Sequence, residues 1–110
     1  MAGKFHLTKA SNGQYHFNLN AGNGETILSS ELYKARDSAL NGIESVRSNA
    51  PREGAFEQRT ASNGKFYFVL KATNGQVIGQ SQMYASAASA SAGVESVKKN
   101  APDATLVDDA

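Results

Sequence analysis

The chain has 110 residues, of which 11 are basic and 10 acidic, for a formal charge of +1, and it contains no cysteine. That length gives one domain around one core, and the balanced charge lacks the basic excess that nonspecific nucleic-acid binding requires. Without cysteine there is no disulfide framework and no thiolate metal site. No run of about 18 apolar residues is present to span a membrane, and Met1 to His6 lacks the apolar stretch of a secretory signal, so a cytoplasmic protein is expected.

Phe5 to Lys9 alternates apolar and polar residues, the pattern of a half-buried strand. Ser11-Asn12-Gly13 is a turn, and Tyr15 to Leu19 alternates again. Asn23-Gly24 marks a second turn before a short strand holding Ile27. A two-residue loop at Asn12-Gly13 would turn the apolar residues of the two strands to opposite faces. A three-residue loop with Gly13 as a left-handed bulge pairs Leu7 with Phe17 and Phe5 with Leu19, so that one face is apolar. The same reasoning pairs Leu19 with Ile27 across the second turn.

The period then changes. Ala39, Ile43 and Val46 fall at i, i+4 and i+7, one stripe of a helix. Gly42 sits beside the stripe. Glycine costs a helix interior about 1 kcal/mol relative to alanine, so a close approach to the sheet is expected there. Asn49 suits a left-handed C-terminal residue, and Pro51 prevents continuation.

The rest of the chain repeats this unit. A shift of 51 residues superimposes Ala10-Ser11-Asn12-Gly13 on Ala61-Ser62-Asn63-Gly64 and Asn49-Ala50-Pro51 on Asn100-Ala101-Pro102. Between Ala10 and Pro51, 21 of 42 positions are identical without a gap, which makes each copy a control for the other. Ala85 to Ala92, low in complexity when read alone, aligns with Lys34 to Asn41 and so becomes the start of a second helix. Ser86 is a suitable N-cap; its counterpart Ala35 offers no oxygen. Thr105-Leu106-Val107 reads as a last strand. Shifted back, it falls on Gly54-Ala55-Phe56, so the last strand of copy one merges into the first of copy two, with Phe56 paired to Leu70.

The expected architecture is therefore a single domain over 1–110 built of repeats 4–54 and 55–107, too closely joined by Arg52-Glu53-Gly54 to move as two beads. The fold class is α+β: a tandem, pseudo-two-fold repeat of strand-strand-strand-helix-strand units. The units share one antiparallel sheet with two helices on one face. A monomer acting as an internal pseudo-dimer is expected. Either half alone is expected to fail as a monomer and to recruit a second copy of itself.

The Asn-Gly turns, the Ser-(Glu/Gln)-(Leu/Met)-Tyr segments at 30–33 and 81–84, and Gly-(Ile/Val)-Glu-Ser-Val at 42–46 and 93–97 resemble the YegP-like family. These are small bacterial proteins with one or two copies of a domain of unknown function. The resemblance runs from Lys4 to Pro102. It implies two such units joined in one sheet with their C-terminal strands exchanged, and it implies no activity, substrate or site residue.

The residues themselves supply few chemical candidates. His6 and His16 lie diagonally on the polar face of one hairpin, but no third ligand accompanies them, and a catalytic zinc needs three. Ser30, Tyr33, Ser81 and Tyr84 recur unchanged and are the candidate contacts for a small polar ligand or a protein partner. Each tyrosine also suits packing between the third strand and the helix with its hydroxyl at the surface. Glu44 with Arg47, and Glu95 with Lys98, are helix-surface pairs. No nucleotide-binding glycine motif and no nucleophile elbow occurs. The favoured reading is a non-catalytic binding or interaction module with no metal and no cofactor. The alternatives are a small-ligand-binding protein or enzyme with its site at the pseudo-two-fold axis and, more weakly, a nucleic-acid binder.

Overall fold

The computed structural model describes residues 3–109. Its elements are β1 (Lys4–Lys9), β2 (Tyr15–Asn20), β3 (Thr26–Ser29), α1 (Arg36–Asn49), β4 (Phe56–Thr60), β5 (Phe66–Lys71), β6 (Val77–Gln80), α2 (Ala87–Asn100) and β7 (Thr105–Asp108). The seven strands form one sheet in the order β4-β5-β6-β3-β2-β1-β7. Both helices pack on one face and seal a core that runs through both copies, from Phe5, Phe17 and Leu19 to Phe68, Leu70 and Val97.

Turn chemistry sets the register. Gly13, Gly24, Gly64 and Gly75 all have φ between 83° and 87°, the left-handed region that a bulged three-residue loop demands. In each loop the asparagine before the glycine accepts the N–H two residues on, as in Asn12 to Gln14 at 3.0 Å and Asn74 to Gln76 at 2.9 Å. Phe5 pairs with Leu19, Leu7 with Phe17, and Phe56 with Leu70, as the one-sided apolar pattern requires.

Three expectations need correction. Leu19 pairs with Leu28, not Ile27, because a bulge between Leu19 and Asn20 sets Asn20 opposite Thr26. The extra residue lets Ile27 and Leu28 both be buried, which strict alternation forbids. Asn49 and Asn100 are not left-handed, since no residue other than glycine has positive φ among the described residues. Each asparagine amide instead donates to the carbonyl four residues back, Ser45 and Ser96 at 2.8 Å. Finally, the sheet is not wholly antiparallel. α2 carries the chain back across the sheet, so β7 starts beside the start of β1 and runs parallel to it, Phe5 opposite Leu106. Every other strand pair is antiparallel.

The copies meet at β3 and β6, joined by the single pair Ser29–Gln80, two residues 51 apart. The pseudo-two-fold axis therefore passes between them. Leu28 lies beside this axis, and its equivalent is Gly79. A Cβ on Gly79 would sit 2.7 Å from Leu28 Cδ2, so one copy supplies the side chain and the other the space. The two copies are thus complementary at the axis, not identical.

Helix capping follows the sequence. Ser86 Oγ accepts the Ser89 N–H at 3.1 Å, while Ala35 makes no side-chain cap although its backbone is extended in the same way. Ala35→Ser is expected to stabilise the chain by about 0.5–1 kcal/mol, read as a raised denaturation midpoint at unchanged slope. The axis gives a second expectation, which amends the self-pairing of isolated halves. Fragments 1–55 and 52–110 would bring two Leu28 side chains, or two Gly79 gaps, to the axis. Each alone is expected to be largely unfolded by circular dichroism, and their equimolar mixture to fold cooperatively as a heterodimer in ultracentrifugation. Equal folding of a half with itself would contradict this complementarity.

Candidate functional site

The recurring Ser-x-x-Tyr segments follow β3 and β6. Ser30 Oγ accepts the Phe17 N–H at 2.9 Å and donates to the Glu31 carbonyl at 2.7 Å. Ser81 does the same with Phe68 and Gln82, at 3.0 and 2.8 Å. Each hydroxyl thus clasps the end of one strand to its neighbour. Tyr33 then forms a two-bond bridge with Tyr15, and Tyr84 with Phe66. These bonds aim each tyrosine at the helix above.

The Tyr33 ring stacks on Phe17 of β2, with centroids 6.2 Å apart and planes 11° apart, and Tyr84 stacks on Phe68 of β5 at 6.1 Å and 17°. Their hydroxyl ends occupy the places where Cβ atoms of Gly42 and Gly93 would stand. The helical glycines therefore admit a tyrosine as well as the expected close approach to the sheet, since a Cβ there would also stand 3.0 Å from Phe17 Cε2 and 2.9 Å from Phe68 Cε2. The tyrosine packs over the second strand of each copy, not the third. Burial, with Glu31 nearby, raises the pKa of Tyr33 above its ordinary value.

Between the two clasps lies a groove of about 550 Å³ across the pseudo-two-fold axis, lined by both copies. Ser29, Glu31, Gln80 and Gln82 join Ser30 and Ser81 along it, and Glu31 is the only charged lining residue among the described residues. Gln82 also donates to Glu25 of the other copy at 3.0 Å. Ser29, Glu31, Gln80 and Gln82 differ between the copies, so comparing the copies passes over them. Only their adjacency to the unchanged Ser30 and Ser81 signalled them. Ser30 and Ser81 come together in the groove, whereas Tyr33 and Tyr84 are not among its lining residues. Leu32 and Met83, equivalent in the two copies, are 50% and 44% exposed; they are two of three large apolar residues so exposed among those described.

The polar sheet face carries a separate cluster. Glu57 accepts from Lys71 at 2.7 Å and from Arg59 at 2.5 Å, and these bonds hold its carboxyl down at about 2. Two cations sharing one carboxylate leave no basic stripe at this point. His6 contacts Asp109 at 3.3 Å, and His16 contacts Thr8. Among the described residues no group of three histidine, aspartate or glutamate side chains is placed to hold a metal. Among them, too, no helix is long and apolar enough to cross a membrane.

The tyrosine-over-glycine contact gives a direct expectation. Gly42→Ala gains about 1 kcal/mol of helix propensity but overlaps the Tyr33 ring, and overpacking costs about 1–3 kcal/mol. A net loss is expected in urea denaturation. Adding Tyr33→Phe removes the nearest atom and is expected to recover part of it. A stabilised Gly42→Ala protein would refute the contact.

Comparison with known proteins agrees with this architecture. The family model "Domain of unknown function (DUF1508)" matches the chain twice, at residues 10–57 and 61–108. A UPF0339 protein of Pseudomonas aeruginosa is 70% identical over 109 residues, covering 99% of each chain. The UPF0339 protein YegP of Escherichia coli K12 is 59% identical over 108 residues, covering 98% of each. The solution NMR structure of E. coli YegP, a protein of unknown function, matches with a TM-score of 0.92, covering 98% of this chain and 93% of that one at 59% identity. That of a UPF0339 protein from Shewanella oneidensis matches at 0.91 and 50% identity, covering 98% and 92%. With two matched copies, full-length relatives and the same fold, the chain belongs to the uncharacterised UPF0339 family of tandem DUF1508 proteins.

Proposed function

We propose that this protein is a non-catalytic binding module whose ligand lies in the groove across the pseudo-two-fold axis. The observation that carries the reading is the groove itself, about 550 Å³ and lined from both copies where β3 meets β6. That volume suits a small molecule. Its hydroxyl and amide groups offer donors and acceptors. Among the described residues its only charge is the Glu31 carboxylate, so the ligand is a neutral or cationic polar molecule, not a phosphate or a nucleic acid. The groove brings together no nucleophile–base pair and no carboxylate pair, which supports binding over catalysis. The binding unit in this reading is the monomer, acting in the cytoplasm.

The test is an NMR titration of the labelled full chain with a panel of neutral and cationic polar metabolites. Amide shifts are expected within 26–31 and 77–82. They are expected to disappear in Gln80→Arg, which puts a bulky cation at the centre of the groove on an exposed residue. Shifts mapping elsewhere, or surviving that change, would overturn the reading.

A further inference from the structure

The sheet has two edges, and the repeat makes them unequal. On the outer side of β1, the Gly3 carbonyl accepts from Thr105 at 3.2 Å and the Leu7 carbonyl from Asp109 at 2.8 Å. One repeat further on, these positions are Gly54 and Gln58. β4 bonds inward only to β5 and is the last strand of the sheet. The inward partner of Ala55 is Lys71, at 2.8 Å, so alternation along the strand turns the backbone of Phe56, Gln58 and Thr60 outward. Among the described residues, copy two thus lacks the strand that copy one receives. The reason is covalent: the segment that would have supplied it runs directly into β4.

The side chains around this edge match those that hold β7. On the filled side Arg47 lies 5.3 Å over Phe5 and donates to the Ala104 carbonyl at 2.7 Å. On the open side Lys98 lies 6.0 Å over Phe56, in position for an incoming carbonyl. Phe5, Leu7 and Ile43 are fully buried, while their equivalents are half-buried Phe56, exposed Gln58 and half-buried Val94. A groove of about 290 Å³ remains between the turn residue Gly54, Phe56 and Gln58 on β4, and Ser91, Val94, Glu95 and Lys98 on α2. Gln58 and Ser91 bond to each other at 2.6 Å, which keeps the empty edge wettable.

We propose that the outer edge of β4 accepts an extended segment of a partner protein, added parallel to it in the position that β7 takes on β1. The filled site defines the segment. A small residue enters first, as Ala104 does. A branched apolar residue follows two positions on beside Phe56, as Leu106 lies beside Phe5. A further two positions on stands a polar but uncharged residue, because the Arg36 that pairs with Asp108 is replaced by Ala87. The residue next to it faces Glu57, the equivalent of the His6 that meets Asp109; Lys71 and Arg59 already share that carboxylate, so this residue is polar and uncharged too. Backbone bonds supply the affinity and the Phe56–Val94 groove the selectivity. This site is separate from the groove at the axis.

The probe is a synthetic peptide of residues 101–109 carrying Asp108→Thr and Asp109→Ser, titrated into the labelled full chain. Amide shifts are expected at Phe56, Gln58, Thr60, Val94 and Lys98. Gln58→Pro removes one outward N–H that β5 does not use, and edge strands tolerate proline in that orientation. It is expected to weaken the peptide about tenfold with an unchanged circular dichroism spectrum. Ser91→Arg, an exposed change that fills the groove, is expected to do the same and stands alone if the proline variant unfolds. Absence of shifts at millimolar peptide overturns the proposal. So do shifts confined to β1, which would mean displacement of the chain's own β7. Dimerisation through β4 without peptide, seen in ultracentrifugation, would assign the edge to a second copy and equally overturn it.

Discussion

The two copies share one apolar core, and in the sheet they join where β3 meets β6 and where β7 returns to β1. β3 and β6 share only the Ser29–Gln80 pair, yet the core continues across it through Leu28, Ile27 and Ile78. A unit of about 50 residues lies near the lower limit for an independent core. Each helix therefore spans the junction, α1 reaching β5 and β6 and α2 reaching β3. The buried core thus runs unbroken through both copies.

That shared core also explains where symmetry is broken. Positions facing only their own copy, such as Phe17 and Phe68 or Gly42 and Gly93, recur unchanged because each tyrosine-over-glycine contact is local. Beside the axis, Leu28 meets its own equivalent, and identical large side chains there would compete for one volume. Leu28 and Gly79 resolve this by taking unequal shares. At the outer edges the copies also differ, because only one edge receives β7. Leu7 becomes Gln58 and Leu40 becomes Ser91 where the covering strand is missing.

The chemistry of the surface follows from the same geometry. The recurring serine hydroxyls are engaged in strand-end clasps, so the groups that vary between copies, Ser29, Glu31, Gln80 and Gln82, give the axial groove its character. The Glu57 carboxylate, held by Lys71 and Arg59, is a partly exposed cluster. It adds little to stability, and it takes up the two cations near the edge of the polar face.

By itself the sequence determined the strand and helix order, the bulged turns, the apolar faces and the cap on α2. Each depends on neighbours in the chain: a left-handed glycine, a period of two or of 3.6, a serine oxygen three residues from its donor. The repeat added the second helix, hidden in the Ala85 to Ala92 run, because alignment with copy one restored its period. Tertiary structure decided what depends on distant segments. The bulge that buries both Ile27 and Leu28 answers to the helices above, and the parallel course of β7 answers to the path of α2. The role of Gly42 waits on Tyr33, which reaches it only once β3 has turned. The axial groove and the open β4 edge exist only where the copies meet or fail to cover each other. No period or motif records them, because packing across the two-fold axis, and not spacing along the chain, assembles the first, and the packing of α2 on β4 the second.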